Sequence, residues 1–193
     1  MDTDAVRPGP LINSRLAQIL EELSRPDILR DQISSINNSN LPQPLKIVSE
    51  FLFSAQWLEY RVKALAHVLS ELIYDEHAFL KVEGHIKWEK IEKYNNSQLI
   101  KHLREFKIKK EKTNSELKIF INDFEKFTKM RNTYTHHYFG TSEFETVENE
   151  AKDGLKISNE LNVRVDTMLS FWQNELTDKL IARYEAEHPL KKK

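Results

Sequence analysis

Phe51, Leu58, Leu65 and Leu72 recur every seven residues, and Ala55, Val62 and Leu69 fill the positions between them. This alternation of three- and four-residue steps puts all of these side chains on one stripe of an α-helix. A strand, with its period of two, would scatter them over both faces. The stretch from Pro44 to about Tyr74 is therefore expected to be one helix, roughly 45 Å long at about 1.5 Å per residue. A stripe this long and apolar has to be covered by other helices, as the seam of a bundle is.

Two further stripes offer that cover. Leu117, Phe120, Ile121, Phe124 and Phe127 make a wide apolar face. Phe144, Val147, Ala151, Gly154, Ser158, Leu161, Val165, Met168, Trp172 and Leu176 repeat the helical spacing near the end of the chain. The small residues in the middle of that last seam predict a close approach by another helix. With 39% apolar and 31% charged residues, and only 4 Gly and 6 Pro in 193 residues, the composition favours long amphipathic helices over a sheet with many tight turns. No strand-period segment of useful length and no internal repeat is present. The fold class expected is all-α: an antiparallel helical bundle of long helices with an N-terminal helical appendage.

Residues 1–10, closing on Pro8-Gly9-Pro10, are expected to be disordered. Leu11 to about Asn37 reads as helix, with Leu16, Ile19, Leu20 and Leu23 as its apolar positions. It is interrupted at Ser24-Arg25-Pro26-Asp27, where Ser24 can cap a second helix and Pro26 can sit in its first turn. The run from Asn37 to Pro44 is a linker rich in turn formers. It sets the appended helices at 11–37 apart from a main bundle over 44–186. Asp75 to Gly84 reads as a connection and Ile86 to Tyr94 as a short helix. Asn95-Asn96-Ser97 can cap a helix running to about Lys109. Thr113 with Glu116 has the capping-box spacing for the next helix, which should end near Gly140. Thr141 or Ser142 should cap the last helix, and residues 187–193 should be a disordered basic tail.

The chain has no Cys, so disulfides and thiolate metal sites are excluded, which suits a reducing cytoplasm. No run of about 18 apolar residues could span a membrane. Met1 to Pro10 carries Asp2, Asp4 and Arg7 and does not resemble a signal peptide. The expected setting is cytoplasmic, with no membrane partner. A net charge of -1 gives no overall attraction to nucleic acid, but the charge is uneven. Lys87 to Lys112 holds nine Lys/Arg against four Glu, and Glu143 to Glu160 holds six acids against two Lys. The basic stretch can meet phosphates; a solvated helix face of mixed charge is the plainer account.

Chemistry concentrates in Arg131-Asn132-Thr133-Tyr134-Thr135-His136-His137-Tyr138. Few structural demands ask for a fixed cation, an amide, two imidazoles and two phenols together. On a regular helix Asn132 and His136 share a face, and Arg131 nearly aligns with Tyr138. Arg131 and His136 stand about 140° apart, so meeting at one phosphate needs a frayed helix end or a second copy of the chain. Metal-free cleavage of RNA would use these groups, with no cofactor. His136 can take the proton of a ribose 2′-OH as general base. Arg131 can bind the scissile phosphate through its planar fork, and Asn132 can orient His136 or hold a phosphate oxygen. The plain alternative is that Arg131 and His136 solvate a helix end.

An Arg followed by His within a few residues also occurs at Arg61–His67 and Arg183–His188, so that spacing alone is weak. Only Arg131 is followed directly by an amide, and only there does a tyrosine follow the His by two. Glu185-x-x-His188 lacks the companion motif and carboxylates of a helical metal pair. No serine elbow, phosphate-cradling glycine loop or zinc spacing is present. His77 and His85 read as solvated loop residues, and Trp57, Trp88 and Trp172 as core or interface.

Arg131-Asn132-x-x-x-His136-x-Tyr138 resembles the signature of HEPN domains: Arg, a polar residue, then His after four to six positions. The helical layout over 44–186 is similar to that family, and the AbiU2-like abortive-infection branch of phage-defence proteins is nearest in length. The resemblance implies a homodimer with both motifs facing one cleft. It implies a metal-independent endoribonuclease of a toxin–antitoxin or anti-phage defence system, acting on RNA. Catalytic roles carry to Arg131 and His136, with Asn132 as the polar neighbour. Tyr138, beside His137, is similar to the tyrosine that a partner nucleotidyltransferase AMPylates in toxin–antitoxin members, where a cognate antitoxin would be a partner. The rivals are a non-catalytic helical RNA- or protein-binding module and a nucleotide-binding accessory protein.

Overall fold

The computed structural model describes residues 27–72, 88–106, 108, 111–138 and 144–187. Its helices are α1 (Asp27–Asn37), α2 (Gln43–Leu72), α3 (Trp88–Ile91), α4 (Asn96–Glu105), α5 (Glu111–Tyr138) and α6 (Phe144–Glu187). No β-strand occurs among the described residues, and the fold is an all-α bundle. α2 and α6 run side by side in the same direction: Phe51 meets Gly154, Ser54 meets Ser158 and Arg61 meets Asp166. α5 runs opposite to both, so Phe51 touches Tyr134, Glu59 reaches Arg131 and Asp123 reaches Arg164. α4 lies antiparallel to α5, with Arg104 bonded to Glu125.

The heptad stripe of α2 is the centre of the core. Phe51, Leu58, Val62, Leu65 and Leu69 are all 0% exposed. Burying each such side chain contributes about 1.5–3 kcal/mol, which is why an apolar stripe decides the packing. Phe120 and Phe124 of α5, Leu99 and Leu103 of α4, and Ala151 and Val165 of α6 close around it. The small-residue seam acts as its spacing predicts. A Cβ built at Gly154 would lie 2.5 Å from Cε2 and 2.8 Å from Cζ of Phe51. The missing side chain is therefore what lets α6 come this close to α2.

Beside that crossing the interface turns polar. The Ser54 and Ser158 hydroxyls are 2.8 Å apart, and Ser54 Oγ also donates to Asn159 Oδ1 at 3.2 Å. Asn162 Nδ2 donates to the Ser54 carbonyl at 3.4 Å. About two turns later Arg61 Nη1 donates to the Asn162 carbonyl at 3.4 Å and its Nη2 pairs with Asp166.

Local capping differs from expectation in two places. Asn95 does cap α4, accepting from Gln98 N at 2.9 Å while Gln98 Oε1 accepts from Asn95 N at 3.0 Å. That helix, however, ends at Glu105 and not near Lys109. Phe106 leaves the helical region at φ -70°, ψ 127°, and its ring is buried against the His102 ring at 5.0 Å. Burial of Phe106 and Ile108 diverts the chain. α5 then starts at Glu111, so Thr113 lies inside the helix and does not cap it. Asn114 supplies the local tie, its Oδ1 accepting from Ile108 N at 3.3 Å. Expectations for residues 1–26, 73–87, 139–143 and 188–193 lie outside the described residues.

Gly154→Ala is expected to cost about 1–2 kcal/mol net, since overpacking costs about 1–3 and the better helix propensity of Ala returns up to about 1. The urea midpoint of unfolding checks it; an unchanged or raised midpoint contradicts the close crossing. His102, 4% exposed, lies at 3.3 Å from Ser70 Oγ. Burial holds its pKa below 6.5, Lys90 adds to this, and Glu105 partly opposes it. A depressed imidazole stabilises the fold fully above the unfolded pKa of about 6.5 and loses that contribution as pH falls below it. The stability gap between wild type and His102→Gln should therefore shrink between about pH 7 and pH 5 in chemical denaturation.

Candidate functional site

The apolar face of α5 fixes its rotation. Leu117, Phe120, Ile121, Phe124, Phe127 and Tyr134 are buried along it. Tyr134, 3% exposed, packs edge-on against Phe51 with ring centroids 5.0 Å apart. One of the two phenols of the octapeptide is thus a core residue. With Tyr134 turned inward, Arg131 is carried to the side of α5 that meets α2 and the first turn of α4.

There Arg131 Nη2 lies 3.7 Å from Glu59 Oε2, and both side chains are 25% exposed. Asn96 stands between them. With its amide oxygen toward the guanidinium, so that each end meets its opposite, Asn96 accepts from Arg131 Nη2 at 2.9 Å and donates to Glu59 Oε2 at 3.2 Å. Lys63 Nζ holds the other carboxylate oxygen, Glu59 Oε1, at 3.2 Å and donates to the Glu92 carbonyl at 3.0 Å. Gln56, Tyr60, Lys63, Glu59, Glu92 and Arg131 line an open cleft of about 300 Å³. The arrangement is a polar cleft with a part-exposed guanidinium on its wall, facing the Glu59 carboxylate and the Asn96 amide.

Asn132 and Thr133 are exposed on the outer side of the helix. Thr135 Oγ1 donates back to the Arg131 carbonyl at 2.6 Å, so this threonine reinforces the turn. His136, His137 and Tyr138 form the last turn of α5, and their side chains lie outside the described set. The backbone of α5 is unbroken through Tyr138. A frayed end at this helix is therefore not the route by which positions 131 and 136 meet. They stay about 140° apart round one axis.

The decoy Arg61 is built differently. It is 5% exposed, sealed against α6, paired with Asp166, and its Cζ lies 6.0 Å over the Trp57 ring. Burial pushes its pKa down to about 10, which leaves it a cation at any working pH. His67 is 1% exposed, with Nε2 at 3.9 Å from Glu71 Oε1. Arg183 has no described side chain and His188 lies beyond the described residues. Trp172 is buried, and Trp57 is half-buried and stacked on Tyr60 at 5.8 Å.

The basic stretch is partly neutralised by α5. Arg104 Nη2 donates to Glu125 Oε2 at 2.6 Å and to Asn122 Oδ1 at 3.3 Å. That guanidinium, with Lys129, holds Glu125 below the usual carboxylate range. Arg164, bonded to Asp123 at 2.7 Å, does the same for that carboxyl. Among the described residues no three His, Asp or Glu gather as metal ligands, and no helix is long and apolar enough to cross a membrane.

Sequence reasoning missed Glu59, Lys63 and Asn96. Glu59 and Lys63 are four apart beside the apolar stripe of α2, a spacing that suits an ion pair but does not show that Arg131 will meet it. Asn96 was read as a cap, but Asn95 takes that role and leaves Asn96 free to reach the cleft. Comparison with family models, with curated proteins and with solved structures finds no match.

Asp166→Asn is expected to destabilise the fold by about 1–2 kcal/mol, because it strands the buried Arg61 cation; the half-exposed carboxylate keeps the loss below that of a fully buried pair. Arg61→Met removes both the charge and its need, and should cost less. Thermal denaturation of the two variants ranks them, and the reverse order contradicts the buried-cation account.

Proposed function

We propose that the chain is a HEPN-like, metal-independent endoribonuclease of a toxin–antitoxin or anti-phage defence system, acting as a homodimer on RNA. The observation that supports this best is Arg131 on the wall of an open polar cleft, followed along one unbroken helix by Asn132 and His136. Arg131 would clamp the scissile phosphate and neutralise the charge that grows on it. His136 would take the ribose 2′-OH proton; the 2′-oxygen then attacks phosphorus and the bond to the 5′-oxygen breaks. A cyclic phosphate and a 5′-hydroxyl result, the latter receiving its proton from the imidazolium. Asn132 would orient the imidazole or hold a phosphate oxygen. The 140° offset is met when a second copy supplies one of the two groups. Tyr138 is the position at which a partner nucleotidyltransferase would silence the enzyme.

A second reading has an observation of its own. Arg131 is engaged by Glu59 of the same chain. A buried salt bridge within the chain would favour a non-catalytic RNA- or protein-binding module; this pair has the intrachain partner but keeps 25% of each side chain exposed.

Expression in a bacterial host, with growth and total RNA followed, separates the two. Wild type should arrest growth and degrade RNA, and Arg131→Ala and His136→Ala should each abolish both effects. Arg183→Ala should behave as wild type. Toxicity and RNA cleavage unchanged in both site variants would sink the catalytic assignment.

A further inference from the structure

Resting on the reading above, we propose that Asn96 positions Arg131 and that Glu59 occupies it as a competing anion until an RNA phosphate takes its place. The geometry makes the exchange inexpensive. Asn96 makes the short contact to the guanidinium, 2.9 Å, whereas the carboxylate stands back at 3.7 Å. Charge-assisted pairs at full strength lie near 2.7–2.9 Å, so the amide fixes the orientation and the carboxylate supplies mainly its field. Both charged side chains keep 25% of their surface in solvent, and pairs this open are weak.

Glu59 is also provided for after the exchange. Its other oxygen is held by Lys63 at 3.2 Å, and Lys63 is itself anchored on the Glu92 carbonyl at 3.0 Å. Departure of Arg131 therefore leaves no uncompensated carboxylate. A phosphodiester offers two non-bridging oxygens that share one negative charge, and the planar guanidinium fork can bind such a pair as it binds a carboxylate's two oxygens. Asn96, anchored in the capped first turn of α4, would keep its hydrogen bond to Arg131 throughout. The pair thus lowers the affinity of the resting chain for phosphates in general and holds the guanidinium ready for one.

The test uses the full chain and a short 2′-O-methyl oligoribonucleotide, which has no free 2′-OH and is not cleaved. Two nearly isosteric changes should move binding in opposite directions, which a merely structural role would not do. Glu59→Gln removes the competing charge and should tighten Kd about three- to tenfold. Asn96→Asp adds a second carboxylate beside Arg131 and should weaken Kd by about the same factor or more. In the Arg131→Ala background both effects should vanish. If Arg131→Ala weakens binding while neither change shifts Kd beyond twofold, the exchange is overturned and the ribonuclease reading stands. If Arg131→Ala binds as wild type does, the phosphate-binding reading itself falls. Should Glu59→Gln fail to fold by circular dichroism, Glu59→Asp, which draws the carboxylate back from Arg131, must tighten binding, and its failure to do so overturns the exchange.

Discussion

The crossing of α2 and α6 at Phe51 and Gly154 is the contact on which the rest is built. Glycine there removes the one side chain that would hold the backbones apart. Phe51 is then enclosed by two other helices, against Gly154 of α6 and, edge-on, against Phe127 and Tyr134 of α5 at 6.2 and 5.0 Å. The two aromatic contacts set the rotation of α5. A helix turned by one residue, about 100°, would lose Tyr134 from the core and swing Arg131 out of the cleft. Core packing one turn away therefore brings Arg131 to the cleft, where Asn96 meets its guanidinium at 2.9 Å.

Arg61 and Arg131 show how burial decides what a cation can do. Each meets a carboxylate of its own chain. Arg61 is closed off by α6, and an incoming anion would have to unpack the α2–α6 interface to reach it. Arg131 lies in a cleft already open to solvent, where one anion can replace another without moving a helix. The same residue type, a similar spacing to a histidine and the same kind of partner thus give a structural tie in one place and an exchangeable site in the other.

Much of the scaffold was legible in the sequence because helical periodicity is a local signal. The heptad of α2 and the small-residue seam of α6 each predicted their burial, down to the glycine at the close approach. Capping was less legible, since it competes with tertiary burial. Phe106 and Ile108 pull the chain out of α4 early, and α5 begins before the Thr113–Glu116 pattern that looked like its start. The environment of Arg131 was not legible at all. Glu59, Asn96 and Arg131 come from three helices far apart in the chain, and no periodicity records which polar residues packing will bring together. The octapeptide was similarly mixed in content: its densest chemistry includes Tyr134, whose place is in the core.

An unbroken α5 also separates what folds the chain from what would make it active. The core described here closes within one copy: Phe51, Leu58, Val62 and Leu65 lose all exposure without a partner. The described core needs no second copy to cover it. Under the proposed mechanism activity does need one, because a straight helix keeps positions 131 and 136 about 140° apart and only a second copy can bring the complementary group to the same phosphate. Under that mechanism dilution would silence the site without uncovering this core. Such a chain needs no unfolding step to be switched off, only separation from its mate, with Glu59 covering the guanidinium in the meantime.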